Sequence, residues 1–138
     1  MIIVADTNIV VSGLLKSSSP SGNILRLILN GKIKLGIDNR ILDEYKEVLN
    51  REKFGFNRES VDDILDEIEA EGINIISEPT DITLPDDEDL SFLEVAINGN
   101  IKILVTGNKK HFPKKKYRQV NIYSPREFIK EYKNLLKE

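Results

Sequence analysis

The residues Ile2-Ile3-Val4-Ala5 are apolar without interruption and run straight into Asp6-Thr7-Asn8. A strand on a protein surface alternates apolar and polar side chains. One that does not alternate is covered on both faces, as the central strands of parallel sheets are. The run therefore predicts a central parallel strand with a carboxylate at its carboxyl end. In open α/β sheets that is the edge outside which ligands bind. Taken alone, Asp6 has two readings. It either serves a ligand, or ends the strand and caps the next helix together with Thr7 and Asn8.

A second apolar run, Ile101 to Val105, ends in Thr106-Gly107-Asn108. Shorter strand candidates lie at 32–37, 73–76 and 120–123. Between them fall helical patterns. Ser19-Pro20 opens a helix that Asn30-Gly31 closes, with proline at the first turn, where its missing N–H is harmless. Asp38 or Asn39 caps the next helix. There Ile41, Leu42, Tyr45, Val48 and Leu49 form one apolar stripe, and Glu44 stands at its boundary. Residues 51–57 read as a loop, followed by an amphipathic helix carrying Val61, Ile64, Leu65 and Ile68. Pro85 precedes an acidic helix start, Asp86-Asp87-Glu88-Asp89. Counting back from Phe92, Leu93, Ala96 and Ile97 puts Asp89 on the apolar face of that helix, a costly place for an uncompensated charge. Asp86 and Asp87 are explained by the helix dipole. Ser124-Pro125-Arg126-Glu127 has the form of a capping box. Alternation of strands and helices predicts an α/β fold with helices on both faces of a mainly parallel sheet. With 138 residues, the chain suffices for a single domain spanning 1–138.

Composition decides what chemistry the acids can support. With no cysteine and one histidine, disulfides and sulfur- or nitrogen-rich zinc sites are excluded. No stretch reaches the ~20 apolar residues of a membrane span. No basic segment precedes the first apolar run, so no signal peptide is expected, and a cytoplasmic location is. Asp6, Glu44 and Asp89 are the acids that surface charge does not explain, and all three can reach the carboxyl edge of the sheet. Clustered carboxylates raise one another's pKa, and a hard divalent cation relieves the conflict. Oxygen ligands select Mg²⁺ or Mn²⁺, which can activate water against a phosphodiester.

The chain carries a net charge of −3, yet residues 109–118, KKHFPKKKYR, are strongly basic. The run predicts a phosphate-facing patch of Lys109, Lys110, Lys114, Lys115, Lys116 and Arg118, with Phe112 and Tyr117 free to stack on unpaired bases. The alternative is a solvated loop. His111, as a lone histidine, reads first as structural.

The segments ADTNIVVSGLL at 5–15, ILDEYKEVL at 41–49, DDEDLSFLEVA at 86–96 and ILVTGNKKHFP at 103–113 resemble, in order and spacing, the PIN domain, and in particular the VapC-like toxin nucleases of toxin–antitoxin pairs. The resemblance spans the whole chain. It implies a three-layer α/β/α fold with a mainly parallel sheet of about five strands, and an endoribonuclease using Mg²⁺ or Mn²⁺. Position by position, Asp6, Glu44 and Asp89 match the metal-binding acids. Thr7, Asn8 and Thr106 match supporting positions. Asn108 stands where many members have a fourth acid, and it can coordinate or orient water but carries no charge. The implied partners are an RNA substrate and a cognate antitoxin, and the family allows a homodimer. A rival reading is a PIN-fold module that holds RNA without cutting it, disabled by Asn108. A nucleotide-binding α/β domain would want a glycine-rich loop after the first strand, and none is there.

Overall fold

The computed structural model describes residues 1–137. Its elements are β1 (Ile2–Ala5), α1 (Thr7–Leu15), α2 (Pro20–Leu29), β2 (Lys34–Ile37), α3 (Asn39–Leu49), α4 (Arg58–Glu71), β3 (Ile73–Asn74), α5 (Leu90–Asn98), β4 (Ile103–Val105), β5 (Lys116–Tyr117), β6 (Val120–Tyr123) and α6 (Pro125–Leu135). Single 3₁₀ turns occupy Glu52–Phe54, Asp87–Asp89 and Lys109–His111. The architecture is a three-layer α/β/α sandwich around one sheet.

The sheet order is β3-β2-β1-β4-β6-β5. Every pairing is parallel except β5 with β6. The chain walks outward from β1 through β2 to β3, then returns to the other side of β1 as β4. The order thus reverses between β1 and β4, where Val4 lies opposite Leu104 and Ala5 opposite Val105. At such a reversal the connecting loops diverge and leave a crevice at the carboxyl ends of the two strands. The Ile2–Ala5 run behaves as its composition requires, with Ile3, Val4 and Ala5 wholly buried.

Helix starts follow the local chemistry of the sequence. Ser19 accepts from the Gly22 N–H at 3.1 Å, Asp38 from Ile41 at 3.0 Å and Asn57 from Ser60 at 3.0 Å. Ser124 and Glu127 complete their reciprocal capping box.

The expected mainly parallel sheet is present, with a short sixth strand, Lys116–Tyr117, paired antiparallel with Val120–Asn121. Arg118, in the left-handed region at φ 53°, makes the turn between them. A two-residue edge strand has no periodicity to read. The acidic helix begins later than expected. Asp87–Asp89 is a 3₁₀ turn, and α5 starts at Leu90 with Asp89 at its N-cap. Phe112 and Tyr117, read as rings free to stack on bases, are 1% and 6% exposed and belong to the core.

Candidate active site

Each of the three acids reaches the carboxyl edge by a different route. Asp6 is the first residue past β1, and its N–H still donates to the Val105 carbonyl at 3.0 Å, continuing the β1–β4 ladder. Its position is that of an N-cap, yet its side chain makes no capping hydrogen bond. The carboxylate turns instead toward the end of β4. There the Thr106 hydroxyl donates to Oδ2 and the Gly107 N–H donates to Oδ1 at 3.3 Å. Gly107 is needed for this approach, since a Cβ there would lie 2.9 Å from the Asn8 Cβ.

Glu44 lies in the second turn of α3, half-buried, and accepts a hydrogen bond from the Thr7 hydroxyl. Beside it, the Tyr45 hydroxyl donates to the Ala5 carbonyl at 2.6 Å, fixing α3 against the end of β1. Asp89 is half-buried at the head of α5. Its Oδ2 is buried, with His111 Nδ1 3.0 Å away as its nearest polar neighbour in an ion-pair contact. Asp6, Glu44 and Asp89 all line one cleft of about 1050 Å³, together with Thr7, Asn8 and His111.

Burial sets the electrostatics. The Asp6 carboxyl is pushed up to about 6, first by burial; the Thr106 and Gly107 hydrogen bonds oppose this and the Asp89 charge adds to it. Burial also raises Asp89, against the pull of His111, with the Asp86 and Glu44 charges adding to the rise. The acids therefore feel one another across the cleft. Among the described residues, the trio whose donor atoms lie within 4.8 Å of one another is Asp86, Asp89 and His111. Asp6 and Glu44 stand apart from that trio, each tied to a threonine. A hard divalent ion fits this arrangement: the donors are carboxylate oxygens, and added positive charge would lower the cost of burying Asp6.

Other sequence-derived residues fall elsewhere. Thr106, wholly buried, supports Asp6 and accepts from the Asn108 N–H at 3.0 Å. Asn108 is not among the cleft residues; its Oδ1 accepts from the Lys110 N–H at 3.1 Å and starts the turn that carries His111. Lys109 pairs with Glu127 at 2.8 Å and Arg118 with Asp81 at 3.1 Å. The Lys114 ammonium sits 5.9 Å from the Tyr117 ring centre, and Lys110, Lys115 and Lys116 are exposed. Of the basic run, His111 alone lines the cleft.

The cations that do line it are Arg40, Arg51 and Lys53, none of which sequence reasoning singled out. Arg40 is held by Asp38 at 2.8 Å and by Glu94 at 2.8 Å, and Glu94 also accepts from the Thr80 N–H at 3.0 Å. Glu94 is only 7% exposed, and a lone acid inside the apolar run Phe92–Ala96 was the signal available for it.

An acid-lined crevice at the order reversal of a parallel sheet defines a class of α/β domains that act on ligands at that edge. Within that class the chain belongs to the PIN domain family, whose model matches residues 2–110. The fold is similar to the crystal structure of VapBC2 from Rickettsia felis bound to a DNA fragment from their promoter. The TM-score is 0.58 at 21% identity, covering 90% of this chain and 98% of that one. Comparison with curated proteins gives no match. Among the described residues no helix is long and apolar enough to cross a membrane.

Proposed function

We propose that the protein is a metal-dependent endoribonuclease that hydrolyses RNA phosphodiesters and serves as the toxin of a toxin–antitoxin pair. The observation that carries this is the convergence of Asp6, Glu44 and Asp89 on one cleft, with one oxygen of Asp89 buried beside His111 alone. A Mg²⁺ or Mn²⁺ ion held by these three acids would supply Lewis acidity toward the phosphate and make water a stronger nucleophile. The chain's own residues do the positioning. Thr106 and Gly107 hold Asp6, and Thr7 holds Glu44. Lys53 lines the same cleft and offers positive charge to the RNA backbone, while Arg40 and Arg51 there are paired with Asp38, Glu94 and Glu47. Lys110, Lys114, Lys115 and Lys116 are exposed and would steer RNA from a distance, with Lys109 and Arg118 engaged in ion pairs. A toxin of this kind needs a cognate antitoxin, and it would meet both antitoxin and RNA in the cytoplasm.

The test is cleavage of a mixed tRNA and mRNA pool in Mn²⁺ or Mg²⁺, with and without chelator. Asp6→Asn and Asp89→Asn should each abolish cleavage while still melting cooperatively. Unchanged cleavage by both variants overturns the site. Asn108→Asp belongs in the same series, because the family resemblance puts a fourth acid at that position, whereas here the Asn108 side chain accepts from the Lys110 N–H. A parent that binds without cutting, beside an Asn108→Asp variant that cuts, would favour the RNA-holding module.

A further inference from the structure

The segment Lys53-Phe54-Gly55-Phe56 builds a small platform at the cleft. The 3₁₀ turn Glu52–Phe54 ends at Gly55, whose φ of 62° reverses the chain in a conformation glycine adopts without strain. The reversal brings Phe56 back against Phe54, with ring centres 5.5 Å apart and planes 16° from parallel. Both rings are only half-buried. The Lys53 ammonium lies over the Phe54 ring, 5.0 Å from its centre, and among the described residues it forms no ion pair. Phe54, Lys53 and Arg51 line the same cleft as the three acids, while Phe56 stacks from outside it.

Phe54 and Phe56 pack partly against the core, yet Phe54 keeps part of its surface in the acid-lined cleft. A flat ring backed by a second ring, with an unpaired cation on its face, matches one chemistry well: an unpaired nucleobase with its phosphate. We infer that Phe54, backed by Phe56, is a stacking platform that seats one unpaired base of a single-stranded RNA, with Lys53 taking the flanking phosphate. This rests on the ribonuclease reading of the neighbouring acids and adds a substrate preference to it. The Lys53 ammonium occupies the place over the ring that a base would take. On stacking it is displaced, and the base's own phosphate is the nearest partner for it. Duplex RNA keeps its bases stacked on one another, so the platform discriminates against it.

The test measures binding in chelator, where nothing is cut, using a short fluorescent single-stranded oligoribonucleotide and its duplex. Phe54→Leu keeps an apolar side chain but removes the ring face, and should weaken single-strand binding roughly 10-fold or more. Phe54→Tyr keeps the ring and should bind as the parent does. Equal affinity of parent and Phe54→Leu overturns the platform, as does equal affinity of the parent for single strand and duplex. Equal RNA affinity accompanied by a Phe54-dependent dimer in sedimentation assigns the face to protein instead. Should Phe54→Leu fail to melt cooperatively, an aminopurine label in the strand reads the contact in the parent, its emission being quenched on stacking and unchanged otherwise. The two readings fail separately. Cleavage lost in Asp89→Asn with Phe54→Leu binding normally removes only the platform; cleavage surviving in Asp89→Asn with Phe54→Leu binding poorly removes only the nuclease site.

Discussion

Replacing Asp6 with Asn should stabilise the ion-free protein at neutral and alkaline pH while destroying its activity. The Asp6 carboxyl titrates at about 6 in the folded chain against an ordinary 3.8. The folded state therefore holds a proton that the unfolded state has already released, and stability falls as pH rises through that interval. The penalty is absent below the lower value and complete above the upper one. At 1.36 kcal/mol per unit, this gap amounts to at most about 3 kcal/mol. Asn escapes the charge but loses the strong acceptance from Thr106, whose oxygen would now receive the amide as well as the Asn108 N–H. A net gain of about 1–2 kcal/mol remains, worth roughly 4–8 °C in Tm for a chain of this size. Thermal melts of parent and Asp6→Asn in chelator at alkaline and acid pH measure it. The variant should melt higher at alkaline pH, and the order should reverse below about pH 4, where the burial penalty is gone and only the loss of the Thr106 bond remains. Adding Mn²⁺ should raise the Tm of the parent and leave the variant almost unmoved. If Asp6→Asn melts below the parent in chelator at alkaline pH, the Thr106 and Gly107 bonds outweigh burial. The site then stores no electrostatic cost for a cation to relieve.

Glu94→Ala should lower stability by about 2 kcal/mol, because it leaves the Thr80 N–H without its acceptor and frees Arg40 from one of its two anchors. A lower urea midpoint with an unchanged slope is the expected result. Tyr45→Phe should cost about 1–2 kcal/mol by orphaning the buried Ala5 carbonyl. It should also reduce cleavage more than Glu94→Ala does, since α3 carries Glu44 and the lost bond ties that helix to the end of β1. Urea titration and the RNA assay together check both.

Most of the fold was legible because its signals are local. Apolar runs marked Ile2–Ala5 and Ile101–Val105 as inner strands, the second beginning only at Ile103, and Ser19, Asp38 and Ser124 cap the helices they were read to open. What escaped was short or tertiary. The strand Lys116–Tyr117 exists only through its pairing with Val120–Asn121. The exposure of Phe112 and Tyr117 was misread because their neighbours are lysines, while their burial is set by the sheet edge beneath them. Asp86 was read correctly as a helix-start acid, accepting from the Glu88 N–H at 3.0 Å, yet its proximity to His111 depends on a residue 25 positions away.

The site divides along the same line. Asp6, Glu44 and Asp89 could each be found alone, as a strand end, a stripe boundary and a charge among apolar neighbours. Their convergence follows from the order reversal between β1 and β4, which puts Asp6 next to Thr106-Gly107 and leaves room above for α3 and α5 to point their acids inward. Arg40 meets Glu94 across 54 positions, and no periodicity within either helix announces that pair. Lys53-Phe54-Gly55-Phe56 was local and still unread, because a loop is searched for turn residues and its aromatic side chains are credited to the core. A glycine between two aromatics beside a lysine is a pattern with a mechanism: the left-handed turn stacks the rings. Its meaning depends on which wall of which cleft it faces, and that is set by α3, which carries it to the acids.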